Sequence, residues 1–159
     1  MRSPTQVAAL CAAVLVALWA VSGSSAAQFS RASESGILNA MNQVRVAAGL
    51  RPLRFDGKLH AAARSHSADM MRRGYFGHGA FSRRMSGFHV HAQTVGENLA
   101  WGTGPYAAAK AIVQEWLQSP EHRANLLRAG FTRVGVGSAV GTFVGRDGAT
   151  VVTADFAGR

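Results

Sequence analysis

Two histidines and a glutamate stand far apart in the chain, each inside a short phrase of glycine, aromatic and amide residues: Phe76-Gly77-His78, Gly96-Glu97-Asn98, and Trp116 through Ser119-Pro120-Glu121-His122. Imidazole and carboxylate are natural ligands of zinc-like ions, and an imidazole is also a proton carrier near neutral pH. His78 follows two aromatics and a glycine just after a helix, so it belongs in a loop from which its ring can point into a cleft. Ser119-Pro120-Glu121 reads as a helix start, with Ser119 capping and Pro120 in the first position. His122 then falls in the first turn, where the dipole disfavours its protonated form, and a neutral imidazole is what a metal requires. Glu97 lies in weakly charged surroundings, the mark of a paired acid. The same three groups could instead hydrogen-bond one another and pin loops together, with no metal and no turnover.

The other histidines carry weaker signals. His66 falls on the apolar side of a helix and reads as a satisfied core histidine. His60, His89 and His91 have no partner pattern and default to the surface. Trp101 and Trp116 read as packing residues. The chain has no Gly-x-Ser-x-Gly elbow, no His-Glu-x-x-His and no phosphate-binding loop, which argues against an ordinary serine hydrolase or nucleotide enzyme. Gly135-Val136-Gly137-Ser138-Ala139-Val140-Gly141 misses dinucleotide spacing and follows no strand–turn–helix context, and its glycines suit close backbone packing in a strand.

These residues need elements to hold them. Ser33 or Ser35 is expected to cap a helix with Ile37, Leu38, Met41, Val44 and Ala48 on one face, ended by Gly49. Leu50 to Leu53 reads as an extended link. Asp56 opens a second helix with Leu59, Ala62, Ala63, His66 and Met70 on one side, stopping at Gly74. A third helix is expected from Thr103-Gly104-Pro105 through Trp116, ended by Pro120. Residues 75 to 104 lack strong periodicity and read as one long functional loop. After Phe131 two strands are expected, joined by a turn around Gly145-Arg146-Asp147-Gly148. Helices first and a hairpin last predict an α+β layered domain.

Residues 1–27 read as a secretory signal: a basic start at Arg2, an apolar stretch from Val7 to Val21, and small residues from Ser24 to Ala27. The single cysteine, Cys11, falls inside it, so the mature chain is expected to carry neither disulfides nor a thiolate site. The 132 residues from Gln28 onward suit one domain. They hold 16 basic against 8 acidic residues, mostly arginines, a balance that draws an exported protein to anionic envelopes or polyanionic wall polymers. Arg72-Arg73 and Arg83-Arg84 are isolated pairs with no interleaved aromatics, so dedicated nucleic-acid binding is not expected.

Residues 33–157 resemble the CAP superfamily of cysteine-rich secretory proteins, antigen 5 and plant pathogenesis-related 1 proteins, specifically its short exported bacterial branch. The resemblance rests on Gly49-Leu50-Arg51-Pro52-Leu53, Phe76-x-His78, Gly96-Glu97-Asn98, Trp116-x-x-Ser119-x-x-His122-Arg123-x-Asn125-Leu126-Leu127 and Phe131-x-x-Val134-Gly135-Val136-Gly137, in that order. It implies a three-layer α-β-α sandwich with a small antiparallel sheet, and a cleft lined by two histidines and two acids that can hold a divalent ion. His78, Glu97 and His122 match the first histidine, the first acid and the second histidine. The second acid falls on Ser119, a poor ligand. The expected protein is therefore a secreted, non-catalytic binding module whose cleft of His78, Glu97, Ser119 and His122 takes a divalent metal such as zinc, on His78, Glu97 and His122, or a small or lipid ligand at the cell envelope. The alternatives are a metal-dependent hydrolase using the same cleft and an adhesive domain acting through its basic surface.

Overall fold

A computed structural model describes the backbone of residues 25–159 and the side chains of residues 34–159; most of the expected signal, with Cys11, lies outside the described residues. In chain order the elements are α1 (Ser25–Ala47), β1 (Arg54–Phe55), α2 (Gly57–Arg73), α3 (Phe81–Gly87), β2 (Thr94–Gly102), α4 (Ala109–Gln118), α5 (Pro120–Leu126), β3 (Phe131–Phe143) and β4 (Arg146–Gly158). The strands form one sheet in the order β1-β3-β4-β2. The β2–β4 and β3–β4 pairs are antiparallel, and the two-residue β1 joins β3 in parallel, so the sheet is mixed rather than wholly antiparallel.

Alternation along β4 separates the layers. Val152, Ala154 and Phe156 point to one face, where they pack with Ile37 and Met41 of α1 and Ile112, Val113 and Trp116 of α4. Val151 and Ala157 point to the other, against Met70, Leu59 and Ala62 of α2. The result is the expected α-β-α sandwich. Its tightest seam lies between α2 and β3: a Cβ added at Gly135 would stand 1.9 Å from the His60 backbone nitrogen, and one at Gly137 would stand 2.1 Å from that of Arg64. Side chains are therefore excluded there, and α2 lies directly on the strand.

Four expectations about the elements are corrected. α1 extends back to Ser25, so Ser33 and Ser35 lie inside the helix rather than capping it. Residues 75–104 are not one loop but contain α3 and β2; Glu97 stands on a strand buried along most of its length, where the alternation of a half-exposed strand is lost. Gly104–Ala107 is an isolated 3-10 turn, and α4 begins only at Ala109. The hairpin turns on Val144-Gly145, both with positive φ (48° and 71°), because Phe143 pairs directly with Arg146. That two-residue loop matches the right-handed twist of the strands.

The corner leading from α5 into β3 is pinned by Arg45, which sequence patterning hides on a helix face. Its side chain is buried and meets no carboxylate among the described residues. Instead Nη1 donates to Leu126 O (2.8 Å) and Arg128 O (3.1 Å), Nη2 to Phe131 O (3.1 Å) and Nε to Arg51 O (3.0 Å).

Candidate functional site

The three residues singled out by their phrases converge. His78, Glu97 and His122, with Phe81, Glu121 and Asn125, line a pocket of about 190 Å³ where α3, β2 and α5 meet. β2 is one of the sheet's two outer strands, and α5 packs against it. Asn98 Nδ2 donates to His122 O (2.9 Å), and Asn125 Nδ2 donates to Glu97 O (3.2 Å) and Asn98 Oδ1 (3.0 Å). Gly96 allows this closeness: a Cβ there would come within 2.8 Å of the Phe131 ring and 3.0 Å of Asn125 Oδ1. Each residue of the Gly96-Glu97-Asn98 phrase thus has its own task, a clearance, an acid and a clamp.

Within the pocket the Glu97 carboxylate is engaged on both sides. His78 Nδ1 lies 2.7 Å from Oε1, and the Arg84 guanidinium of α3 bonds Oε2. Glu97 is 2 % exposed at its side chain and His78 59 %, so a buried acid orients a ring that reaches solvent. Glu97 therefore acts as the partner that fixes the histidine ring, the arrangement common behind metal-bound imidazoles, and not as a free ligand. His122 is half-buried, and its Nδ1 has no hydrogen-bond partner among the described residues although it is shielded from water. Burial, then the neighbouring His78, lowers its pKa, so the imidazole is neutral at pH 7.

Besides Arg84, two residues that sequence reasoning did not place here complete the cluster. Asp155 of β4 stands directly opposite Glu97 in the β2–β4 register and is fully buried. Its Oδ1 lies 3.8 Å from Arg84 Nη2, and its carboxyl group faces that of Glu97, with which it can share a proton. Burial, then the adjacent Glu97 charge, raises its pKa well above the usual carboxylate range. Burial also raises Glu97, to about 7, against the opposing pull of Arg84. His66 of α2 lies 3.7 Å from Glu97 Oε2. Burial and the Arg84 charge lower its pKa to about 4, so it is neutral and this approach is not an ion pair; its Nε2 bonds Gly77 O at 3.0 Å, as befits a satisfied core histidine. An acid inside the apolar run Val151-Val152-Thr153-Ala154-Asp155-Phe156 was the available signal, since a buried carboxyl demands a local reason.

Ser119 is not among the residues that line the pocket, and its side chain makes no capping bond at the start of α5. The second acid that lines the pocket is Glu121, not position 119, while Asp155 lies buried behind Glu97. Glu115 points elsewhere, as its place before Trp116 predicts. Trp116 is buried and donates Nε1–H to Leu99 O (2.9 Å), a packing role. His60 is not a free surface residue: Nδ1 bonds Val136 O at 2.6 Å, while Glu34 Oε1 accepts from Ser138 N at 2.9 Å. Together these side chains cap the part of the β3 edge that β1 is too short to cover. Among the described residues no group of three His, Cys, Asp or Glu side chains is arranged to hold a metal ion. A larger hollow of about 700 Å³, between Gly49–Arg54 and Ala129–Thr132, has no histidine, aspartate or glutamate in its lining.

The fold and the pocket define a three-layer α-β-α domain with a polar cleft at the edge of its sheet. The chain belongs to the CAP (cysteine-rich secretory protein) family, which matches residues 38–156. Among relatives, it is 38 % identical over 110 residues to the uncharacterised membrane protein YlbC of Bacillus subtilis (strain 168), covering 66 % of this chain and 31 % of that one. It is 35 % identical over 111 residues to the uncharacterised protein YkwD of the same organism, covering 67 % and 42 %. An extracellular protein of Bacillus anthracis str. Ames containing an SCP domain superposes with a TM-score of 0.72 and 29 % identity, over 84 % of this chain and 43 % of that one. The chain thus spans under half the length of these relatives.

Proposed function

We propose that the protein is an exported, non-catalytic binding module that takes a divalent ion of the zinc type on His78 and His122, with Glu97 orienting the first ring. One juxtaposition carries this reading: two imidazoles, one fixed by a buried carboxylate and the other neutral with a buried, unpartnered nitrogen, share one small pocket. Unpartnered buried nitrogens are costly, and an ion is one group that would satisfy this one. Imidazoles suit such an ion as ligands, while the carboxylate oxygens, already held by His78 and Arg84, would serve it indirectly. A bound ion would supply an electrophilic point for an anionic or carbonyl oxygen of a small ligand. Export is supported by the signal-like residues 1–27 and by the extracellular relative, and attraction to an anionic envelope by the formal charge of +9.

The test is a zinc titration of the purified protein, followed by melting temperature and calorimetry. A ligand of the native state at one hundred times its Kd adds about 2.7 kcal/mol, a rise of several degrees. His78→Ala and His122→Ala should each abolish it. Equal zinc response in parent and both variants overturns the reading.

A further inference from the structure

The two arginine pairs that look isolated in the sequence meet in space. Arg72 and Arg73, in the last turn of α2, and Arg83 and Arg84, in α3, line opposite walls of one groove of about 490 Å³, with the buried ring of His66 between them. Asp69 is the one carboxylate in the lining. It tethers the first wall: Arg72 and Arg73 both bond it, Arg73 at 3.3 Å, and Tyr75 donates its hydroxyl at 2.9 Å. On the second wall Arg84 is fixed by Glu97 and by His78 O (3.2 Å), whereas Arg83 is exposed and makes no bond among the described residues. The Arg72 and Arg73 side chains remain 70 % and 66 % exposed, so their charge faces the groove's solvent.

We propose that this groove binds the phosphate groups of a linear polyanion. Guanidinium forks match phosphate oxygens two at a time, and with Arg84 held by Glu97 the three exposed guanidiniums of Arg72, Arg73 and Arg83 share one lining carboxylate, Asp69, which leaves an excess of positive charge that an exogenous anion would offset. The groove's concavity suits a flexible single chain better than a flat bilayer, and the lining offers no large aliphatic side chain to enter one. Its one aromatic, Tyr75, is covered by Arg73 at 5.3 Å and tied to Asp69, so it offers no base-stacking platform. This groove lies outside the His78 pocket, and its ligand does not depend on metal there.

The experiment measures binding of inorganic polyphosphate to the full chain by calorimetry across a salt series. Arg72→Gln with Arg83→Gln removes one charge from each wall and touches no residue of the His78 pocket. Arg51→Gln with Arg54→Gln removes the same charge from a distant hollow. The expected result is an affinity loss of about tenfold or more in the groove variant, with the slope of log K against log salt falling by about 0.7 per arginine removed, and little loss in the distant variant. Equal losses in the two variants, or none in the groove variant, overturn the proposal. So does tighter binding of polyglutamate, of a single-stranded oligonucleotide or of phosphatidylglycerol vesicles than of polyphosphate. Melting curves verify that each variant is folded.

Discussion

At the scale of single residues, the pocket turns on Glu97, whose two oxygens hold a histidine and an arginine from different elements. Glu97→Gln keeps the size and an acceptor for His78 Nδ1 but removes the charge that fixes the ring. On the binding reading, zinc affinity then falls about 10- to 100-fold, the usual cost of losing an orienting carboxylate. Calorimetry on the variant checks this, and an unchanged affinity counts against an orienting role. His78, Glu97 and His122 were legible because each stands in a phrase of glycines, amides and aromatics that serves no periodic face. Asp155 was not, because it occupies an inward position of a strand that otherwise reads as plain core. His66 was legible as a core histidine but not as Glu97's neighbour, since that proximity is made by the packing of α2 on the sheet and not by local sequence.

At the scale of elements, the seam between α2 and β3 decides where His60, Arg64 and His66 stand. Gly137→Ala would drive a methyl into the α2 backbone, 2.1 Å from Arg64 N, where no flexible side chain can give way. The helix must shift, at a cost of about 1–3 kcal/mol or more, read as a lower denaturation midpoint. The hairpin offers the opposite change. Val144 is β-branched and 65 % exposed, yet it holds φ 48°. Val144→Asn accepts that backbone readily, and a gain of about 1 kcal/mol is expected in urea unfolding, with no change in slope. Helix α2 was legible to the residue at both ends, because Asp56 caps it and Gly74 closes it in the left-handed conformation. Strand β2 was not, because neither of its faces meets water along most of its length and the alternation that announces a half-exposed strand is erased. The start of α4 was misplaced by Pro105, whose helix-opening signal is spent on the single 3-10 turn.

At the scale of the whole molecule, the buried cluster sets how stability follows pH. Asp155 has a raised pKa when folded, so the folded state keeps a proton that the unfolded chain releases from about pH 4 upward, and stability falls as pH rises. Glu97 acts in the same sense between 4.5 and about 7. His66 acts in the opposite sense: its folded pKa of about 4 lies below the unfolded 6.5, so its contribution is complete above pH 6.5 and is lost as pH falls toward 4. Glu97 and His66 therefore nearly cancel between 4.5 and 6.5, while above 6.5 the histidine contributes no further slope and the acids act unopposed. The melting temperature should decline as pH is raised above 6.5, through about 7 for Glu97 and further for as long as Asp155 keeps its proton. One proton per molecule corresponds to about 1.4 kcal/mol per pH unit, or several degrees in a domain of this size. Asp155→Asn imitates the protonated acid and has no proton to release. It should melt close to the parent at pH 4 and clearly above it at pH 8, with a shallower decline between. Parallel curves for the two proteins would show that Asp155 is already ionised in the fold, and the electrostatics assigned to the pocket would then be wrong.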